Sequence, residues 1–340
     1  MTDLRDLTPG RIVLLCLERG GTVHQGRRLS RAVLRDGRTS LDEIEIARSL
    51  KDEIRNDVTI STVEILAHRA SSDGSAKFLY GFSDGETVEG VLIPERSRRT
   101  LCVSTQSGCA SGCLFCLTGS SGFRRNLSPS EIIGQVLAVQ KQSGEKITNL
   151  ALMGTGEPLA NFDNVAGFVE SVTDRRGLDI PPRKITLSTS GIIPGIRRMP
   201  DEMDISLAVS LNAADQATRS RVMPISRKYP LPELIEALRE YTGTGDGRRV
   251  IIEYVLMKGV NDSSRDAGML AELLADLPCM INLLPFNPYP AARFERPAEG
   301  TVRAFQKLLL DAGCLSVVRD SRGLDIMAAC GQLKAGTTRL

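Results

Sequence analysis

The chain has no tryptophan, only two histidines, and 4% aromatic residues in 340. So few aromatics argue against a broad stacking platform for single-stranded nucleic acid, and so few histidines leave metal binding to thiols and carboxylates. No apolar run approaches the about 18–20 residues that a membrane span needs. The N-terminal MTDLRDLTPG is neither a secretory signal nor a transit peptide, so a cytoplasmic, reducing compartment is expected. The net charge is only +2, and no global field announces a polyanionic partner. Basic pairs such as Arg124–Arg125 and Arg197–Arg198 are frequent. They permit a distributed phosphate-binding face, although solvated surface accounts for any one of them. Charged residues at 25% and hydrophobic residues at 41% are a globular balance.

What is present is cysteine, unevenly placed. CVSTQSGCASGCLFC (102–116) holds four of the eight cysteines. In a reducing compartment, clustered thiols are more often metal ligands or catalysts than disulfides. Cys109, Cys113 and Cys116 are spaced C-x3-C-x2-C. Structural zinc prefers four closing ligands, commonly two C-x2-C pairs, and no second pair exists here. Three thiolates on a 4Fe–4S cluster leave one iron open to a substrate or cofactor. This spacing after a first strand is the signature of radical S-adenosylmethionine (SAM) enzymes, and Phe115 fits its aromatic position. Glycines 108, 112, 119 and 122 make the segment a loop, which weakens the bland reading of packed core cysteines. Cys16, Cys279 and Cys314 lie in apolar contexts and read as small hydrophobes.

Residues 1–62 look helical, with LDEIEIARSLKDEI (41–54) spaced as one amphipathic helix. Residues 63–98 carry β-branched runs around SSDG (71–74) and SDG (83–85), and predict a small β-ribbon or linker. From 99 to 340 apolar strands alternate with amphipathic helices in six βα-type units. The fold class is therefore α/β, a partial (βα)6 barrel with an N-terminal helical accessory domain. A doubly wound open sheet is the structural rival. In either, ligands sit at the carboxyl ends of the strands. The unusual loops fall there: the cysteine loop, GTGEP, STSG, SLNA and PFNPYP.

CVSTQSGCASGCLFCLTGSSGFRRNLSPSEIIGQV, MGTGEPLANFDNV, TLSTSGIIPGI, SLNA, EYVLMKGVND, INLLPFNP and RGLDIMAACGQL occur in this order from residue 89 to 333. Together they resemble the RlmN/Cfr family of radical SAM RNA adenosine methylases. The resemblance implies a partial barrel, a 4Fe–4S cluster on Cys109, Cys113 and Cys116, and two SAM molecules per turnover. It implies that Cys330 in ACGQL accepts a methyl group and carries it to carbon 2 of adenine. Cys102 then resolves the RNA–protein adduct through a disulfide with Cys330, and Glu89 in VEGVLIPE takes the proton from the base. Gly156, Glu157, Ser188, Ser210, Leu211, Asn212 and Asn287 match SAM contacts. Asn212 departs from the histidine frequent in relatives, and Leu117 from a frequent serine. Taken alone, Cys102 and Cys330 read as small packed residues, and each polar residue of the set as a strand-end cap. The ensemble lifts them.

On the RlmN side of the family the implied substrates are 23S ribosomal RNA, at the peptidyl-transferase centre, and transfer RNA, next to the anticodon. An electron donor such as flavodoxin, no membrane and a monomeric state go with it. The Cfr side, which modifies carbon 8 of the same ribosomal adenosine, shares the machinery. A different radical SAM enzyme, such as an activase, leaves Cys102, Cys330 and Glu89 unexplained. A non-enzymatic zinc-stabilised RNA-binding protein is the alternative from another class. It predicts colourless, oxygen-tolerant protein where a cluster predicts brown, oxygen-sensitive protein.

Overall fold

The computed structural model describes residues 1–244, 247–290 and 292–334; the end of the third expected region lies outside these. Helices α1 (Pro9–Glu18), α2 (Val23–Leu34) and α3 (Arg48–Ile54) make up the N-terminal part. α1 starts on proline, where no N–H is needed. α2 starts with a capping box between Thr22 and Gln25, worth about 1 kcal/mol. The segment 41–54, expected as one helix, is broken. A 3-10 turn at Leu41–Glu43 is capped by Ser40, and Ile44 is extended at φ −103° and ψ 128°. Leu41, Ile44, Leu50 and Ile54 are buried nonetheless. Ile46 and Ala47, expected on the same face, are half-buried and exposed respectively, so the apolar spacing marked most of the buried face but not the helical continuity.

Strands β1 (Thr2–Asp3) and β2 (Val58–Thr59) pair in parallel and close this part on itself. It docks on the barrel through Asp6, whose carboxylate accepts the Ser130 N–H at 2.8 Å. β3 (Glu64–Ala70), β4 (Ala76–Gly81) and β5 (Thr87–Glu95) form an antiparallel meander. Its turns, at 71–75 and 82–86, hold the SSDG and SDG signals. β5 then pairs with β6 (Arg98–Cys102), so the meander is continuous with the main sheet.

After β6 comes the cysteine loop, containing β7 (Gln106–Gly108), the short helix α4 (Leu117–Ser120) and β8 (Phe123–Asn126). The chain then alternates: α5 (Pro129–Ser143), β9 (Asn149–Leu152), α6 (Phe162–Thr173), β10 (Ile185–Thr189), α7 (Ile193–Glu202). It continues with β11 (Ser206–Ser210), α8 (Gln216–Val222), α9 (Leu231–Thr242), β12 (Val250–Leu256), α10 (Ser264–Leu274), β13 (Cys279–Pro285), α11 (Glu299–Asp311) and β14 (Ser316–Val318). The ten-stranded sheet has the order β14-β13-β12-β11-β10-β9-β6-β5-β4-β3. From β6 to β14 the strands are parallel and stand in chain order.

That order decides between the two expected architectures. A doubly wound sheet reverses direction at a switch point and puts helices on both faces. Here there is no reversal, and right-handed crossovers in one direction leave every helix on one side. The sheet stays open between β14 and β3, as a partial barrel. Its buried strands are apolar on both faces, as Leu207, Ala208 and Val209 of β11 illustrate. Helices α7 and α8 and strand β14 were not expected; α7 carries Pro200 in its last turn, which hid its period. A single hydrophobic cluster runs from Leu4 to Leu309. Among the described residues no helix is long and apolar enough to cross a membrane.

Candidate active site

The strand ends open on a cleft, the place where ligands sit in parallel α/β folds. Cys109, Cys113 and Cys116 line it. The loop that carries them is built by close approach. Gly108 has φ +76°, and a Cβ there would stand 1.8 Å from the Gly122 carbonyl oxygen. Leu114 N–H donates to the Val222 carbonyl at the end of α8, and Phe115 is buried against Val222, Met223, Met257 and Phe286. Burial pushes the Cys109 thiol up to about 11 and raises Cys113 as well. Ligation must therefore release protons. Among the described residues no three His, Cys, Asp or Glu side chains converge at single-ion distance. A cubane needs no such convergence, because each thiolate binds a different iron. Three thiols carried on one loop and facing one cavity fit a 4Fe–4S cluster with an open corner.

Gly156, Glu157, Ser188, Ser210 and Asn287 also line the cleft. Gly156 has φ +108°, and a Cβ there would press on the Gln106 amide nitrogen at 2.7 Å. Glu157 is buried, and its oxygens accept N–H groups of Leu159 at 3.1 Å and Ser190 at 2.6 Å. Burial raises its carboxyl, opposed by the Ser190 donors, and among the described residues it has no cationic partner. A ligand ammonium supplies the missing charge, so the residues fit the amino-acid end of SAM. Leu211 and Asn212 lie behind this wall. Asn212 has φ +60°, is fully buried, and accepts the Val255 N–H at 2.7 Å. Its side chain braces the turn after β11. The left-handed φ is one that asparagine adopts more readily than most residues.

Cys330 reaches the cleft from the far end of the chain. Residues 323–334 cross the strand ends as a strap. Asn287 Nδ2 donates to the Cys330 carbonyl at 3.2 Å, and Leu117 N–H to the Gly331 carbonyl at 2.7 Å. Thr118 Oγ1 donates to the Leu333 carbonyl at 2.6 Å. Cys330 is exposed, yet crowding by the cleft walls, with Glu253 as the first ionic influence, pushes its thiol up to about 11.

Cys102 and Glu89 do not line the cleft. They sit on the meander side of the strap. Cys102 packs with Val91, Ile326, Ala328 and Leu333, and burial, then the charge of Cys330, pushes its thiol up to about 12. Glu89 is buried; Lys77 Nζ lies 3.1 Å from its Oε1, and Lys334 N–H donates to Oε2 at 2.9 Å. Lys77 also donates to the Met327 carbonyl at 3.2 Å. Removing either member of such a buried pair costs about 3–5 kcal/mol. Lys77 was not foreseen; a lysine inside the apolar strand AKFLYG was the available signal. Arg219 was not foreseen either. It is fully buried and donates to the Ser190 carbonyl at 2.7 Å, the Leu211 carbonyl at 3.1 Å and the Ser210 carbonyl at 3.2 Å. It ties the ends of β10 and β11 together. Arg124 and Arg125, considered for phosphate, are ion-paired with Glu86 and with Asp84 and Glu131.

Asp73 anchors the start of the strap, accepting the Gly323 N–H at 2.9 Å. Burial opposes its charge, but donors from Gly323 and Ser75 outweigh it and hold the carboxyl down at about 2. The ordinary value is about 3.9. A depressed value means the anchoring is complete above the ordinary value and is lost as pH falls toward 2. Asp73→Asn is expected to speed amide exchange across 323–334 at neutral pH while the barrel strands stay protected. Hydrogen exchange should show the same loosening in the wild type between about pH 4 and 2. A strap indifferent to both changes would remove Asp73 from its anchoring.

Residues 103–269 match the Radical SAM superfamily. A dual-specificity RNA methyltransferase RlmN from Syntrophobacter fumaroxidans is 44% identical over 314 residues, covering 92% of this chain and 92% of the relative. The protein of that name from Anaeromyxobacter dehalogenans is 42% identical over 342 residues, covering 98% of this chain and 92% of its own. Among solved structures, a radical SAM methyltransferase from Sphaerobacter thermophilus matches with a TM-score of 0.91 at 38% identity, covering 98% of this chain and 99% of that one. Likeness of this degree over nearly the whole length goes beyond a shared fold: the chain belongs to the RlmN family of radical SAM RNA methyltransferases, whose chemistry rests on a 4Fe–4S cluster and S-adenosylmethionine.

Proposed function

We propose that this enzyme methylates carbon 2 of one adenosine in the peptidyl-transferase centre of 23S ribosomal RNA and of the adenosine next to the anticodon in transfer RNAs. The observation that carries the reading is the strap, which holds Cys330 over the cleft of the three cluster cysteines and packs its other residues against Cys102. Carbon 2 of adenine is flanked by ring nitrogens and is electron-poor, so it does not attack a sulfonium methyl as a nucleophile. Bound in the cleft, the cluster and SAM would supply the radical chemistry that this carbon requires. The chain's residues do the rest. Cys109, Cys113 and Cys116 hold the cluster, and Gly156, Glu157, Ser188, Ser210 and Asn287 hold SAM. Cys330 takes a methyl from one SAM molecule and delivers it to the base with the help of a second. Glu89 accepts the proton from the base, and Cys102 frees the product by attacking the Cys330 sulfur: the disulfide forms as the sulfur–carbon bond to the base breaks, and the departing carbon keeps the electron pair and takes a proton to become the methyl group. The base must leave its stack to reach Cys330.

In this reading residues 1–62 are an accessory domain, 63–98 a ribbon, and 99–340 the catalytic barrel. The enzyme works as a cytoplasmic monomer with an electron donor such as flavodoxin. The test is nucleoside analysis by mass spectrometry of ribosomal and transfer RNA from a knockout strain complemented with this gene. 2-Methyladenosine in both RNAs is expected. 8-Methyladenosine alone would place the enzyme on the Cfr side.

A further inference from the structure

Strand β12 reads VIIEYVL (250–256), with a single carboxylate, Glu253, among apolar residues. Its register places Glu253 beside Ser210 of β11 and Asn282 of β13. Lateral neighbours in a parallel sheet stand about 4.8 Å apart and point to the same face. Ser210 and Glu253 both line the cleft. Asn282 Nδ2 donates to Glu253 Oε1 at 2.8 Å, and Asn282 Oδ1 is buried with no partner. Among the described residues Glu253 Oε2 accepts no hydrogen bond, and the side chain forms no ion pair. A desolvated carboxylate with an open oxygen is costly unless donors reach it; burial raises its carboxyl, opposed by the Asn282 donor and by the more distant charge of Arg319. A lumen position of purely structural use would carry an aliphatic side chain, as most of this strand does.

We propose that Glu253 reads the ribose of S-adenosylmethionine, accepting hydrogen bonds from its 2′,3′-diol beside Ser210, with Asn282 as the residue that positions the carboxylate. The inference rests on the reading that SAM occupies the cleft, and deepens it. Glu157, at the cluster end, is the carboxylate suited to the ammonium; Glu253 lies toward Cys330 and meets neutral donors. Carboxylates that take ribose hydroxyls recur in dinucleotide sites. An internal RNA nucleotide keeps only one free ribose hydroxyl, so a diol reader selects the free adenosyl cofactor. Holding the ribose by this edge fixes the direction of carbon 5′ relative to Cys330.

The experiment is isothermal titration of anaerobically reconstituted enzyme with SAM and with its 2′-deoxy and 3′-deoxy analogues. Wild type is expected to bind each analogue about tenfold more weakly than SAM. Glu253→Ala gives up both contacts and should lose up to about 100-fold for SAM, and no longer distinguish SAM from the analogues. Glu253→Gln, an isostere that keeps one acceptor, should fall between and serves if the alanine variant does not fold. Asn282→Leu should reduce the discrimination without abolishing it. Equal discrimination by wild type and Glu253→Ala overturns the proposal, as does a wild type indifferent to the hydroxyls. A wild type that binds no SAM overturns the cofactor reading itself. A merely structural Glu253 lowers affinity for every analogue alike.

Discussion

Cys330→Ala is expected to abolish methyl transfer to RNA, a loss of at least about 10⁴-fold, while iron content and SAM affinity stay at wild-type levels. The separation follows from how the strap is held. Around Cys330 its fixing contacts use backbone carbonyls: that of Cys330 on Asn287, that of Gly331 on Leu117 N–H, that of Leu333 on Thr118. Ala328 and Ala329 beside it are buried, but Cys330 itself is exposed, so alanine creates no core cavity. Only the sulfur goes. With it goes the atom that carries the methyl in the proposed mechanism, and among the described residues the other thiols lining the cleft are the three assigned to the cluster. The assay is transfer of labelled methyl from SAM to a ribosomal RNA fragment, beside iron determination and SAM titration. A variant that turns over near the wild-type rate would end the methyl-carrier role.

The second large effect is of the opposite kind. Cys102→Ala is expected to make the first covalent step normally and stop there, accumulating a protein–RNA adduct. Cys102 packs against Ile326, Ala328 and Leu333 of the strap, and the charge of Cys330 is the first ionic influence on it. In the proposed mechanism it is the thiol that attacks the Cys330 linkage, from the meander side of the strap. The thiolate is the attacking form, and burial pushes Cys102 up to about 12, so product release in the wild type should quicken as pH rises. Removing the thiol leaves the adduct without an exit. Denaturing electrophoresis should show a slower band, sensitive to ribonuclease, that appears only with SAM and reductant. Normal turnover with no such band would refute the two-cysteine division of labour.

Much of the site was legible because its parts are local. Cys109, Cys113 and Cys116 fall within one short loop, and their spacing alone fixes ligand number. GTGEP and PFNP likewise carry their chemistry in adjacent residues at strand ends, and the cleft gathers Gly156, Glu157 and Asn287 as expected. The sheet direction was legible from unbroken apolar runs. Asn212 stands in a motif that matches cofactor contacts; its side-chain oxygen accepts the Val255 N–H, which leaves its backbone for such a contact. A motif gives position along the chain, not the direction of a side chain at φ +60°.

The sequence by itself determined the cofactor chemistry: three thiols, too few to close a tetrahedral site, in the loop after the first barrel strand. The tertiary structure decided which side of the strap each reactive group occupies. Lys77 meets the Met327 carbonyl and Glu89 meets Lys334 across some 250 and 245 residues of chain. The sheet order brings β5 beside β6 and the strap back over both. The physical reason is that ligand spacing and strand period are short-range properties, set by a few bonds and dihedral angles. Contacts between distant segments depend on the path of the whole chain and leave no period in the sequence to read.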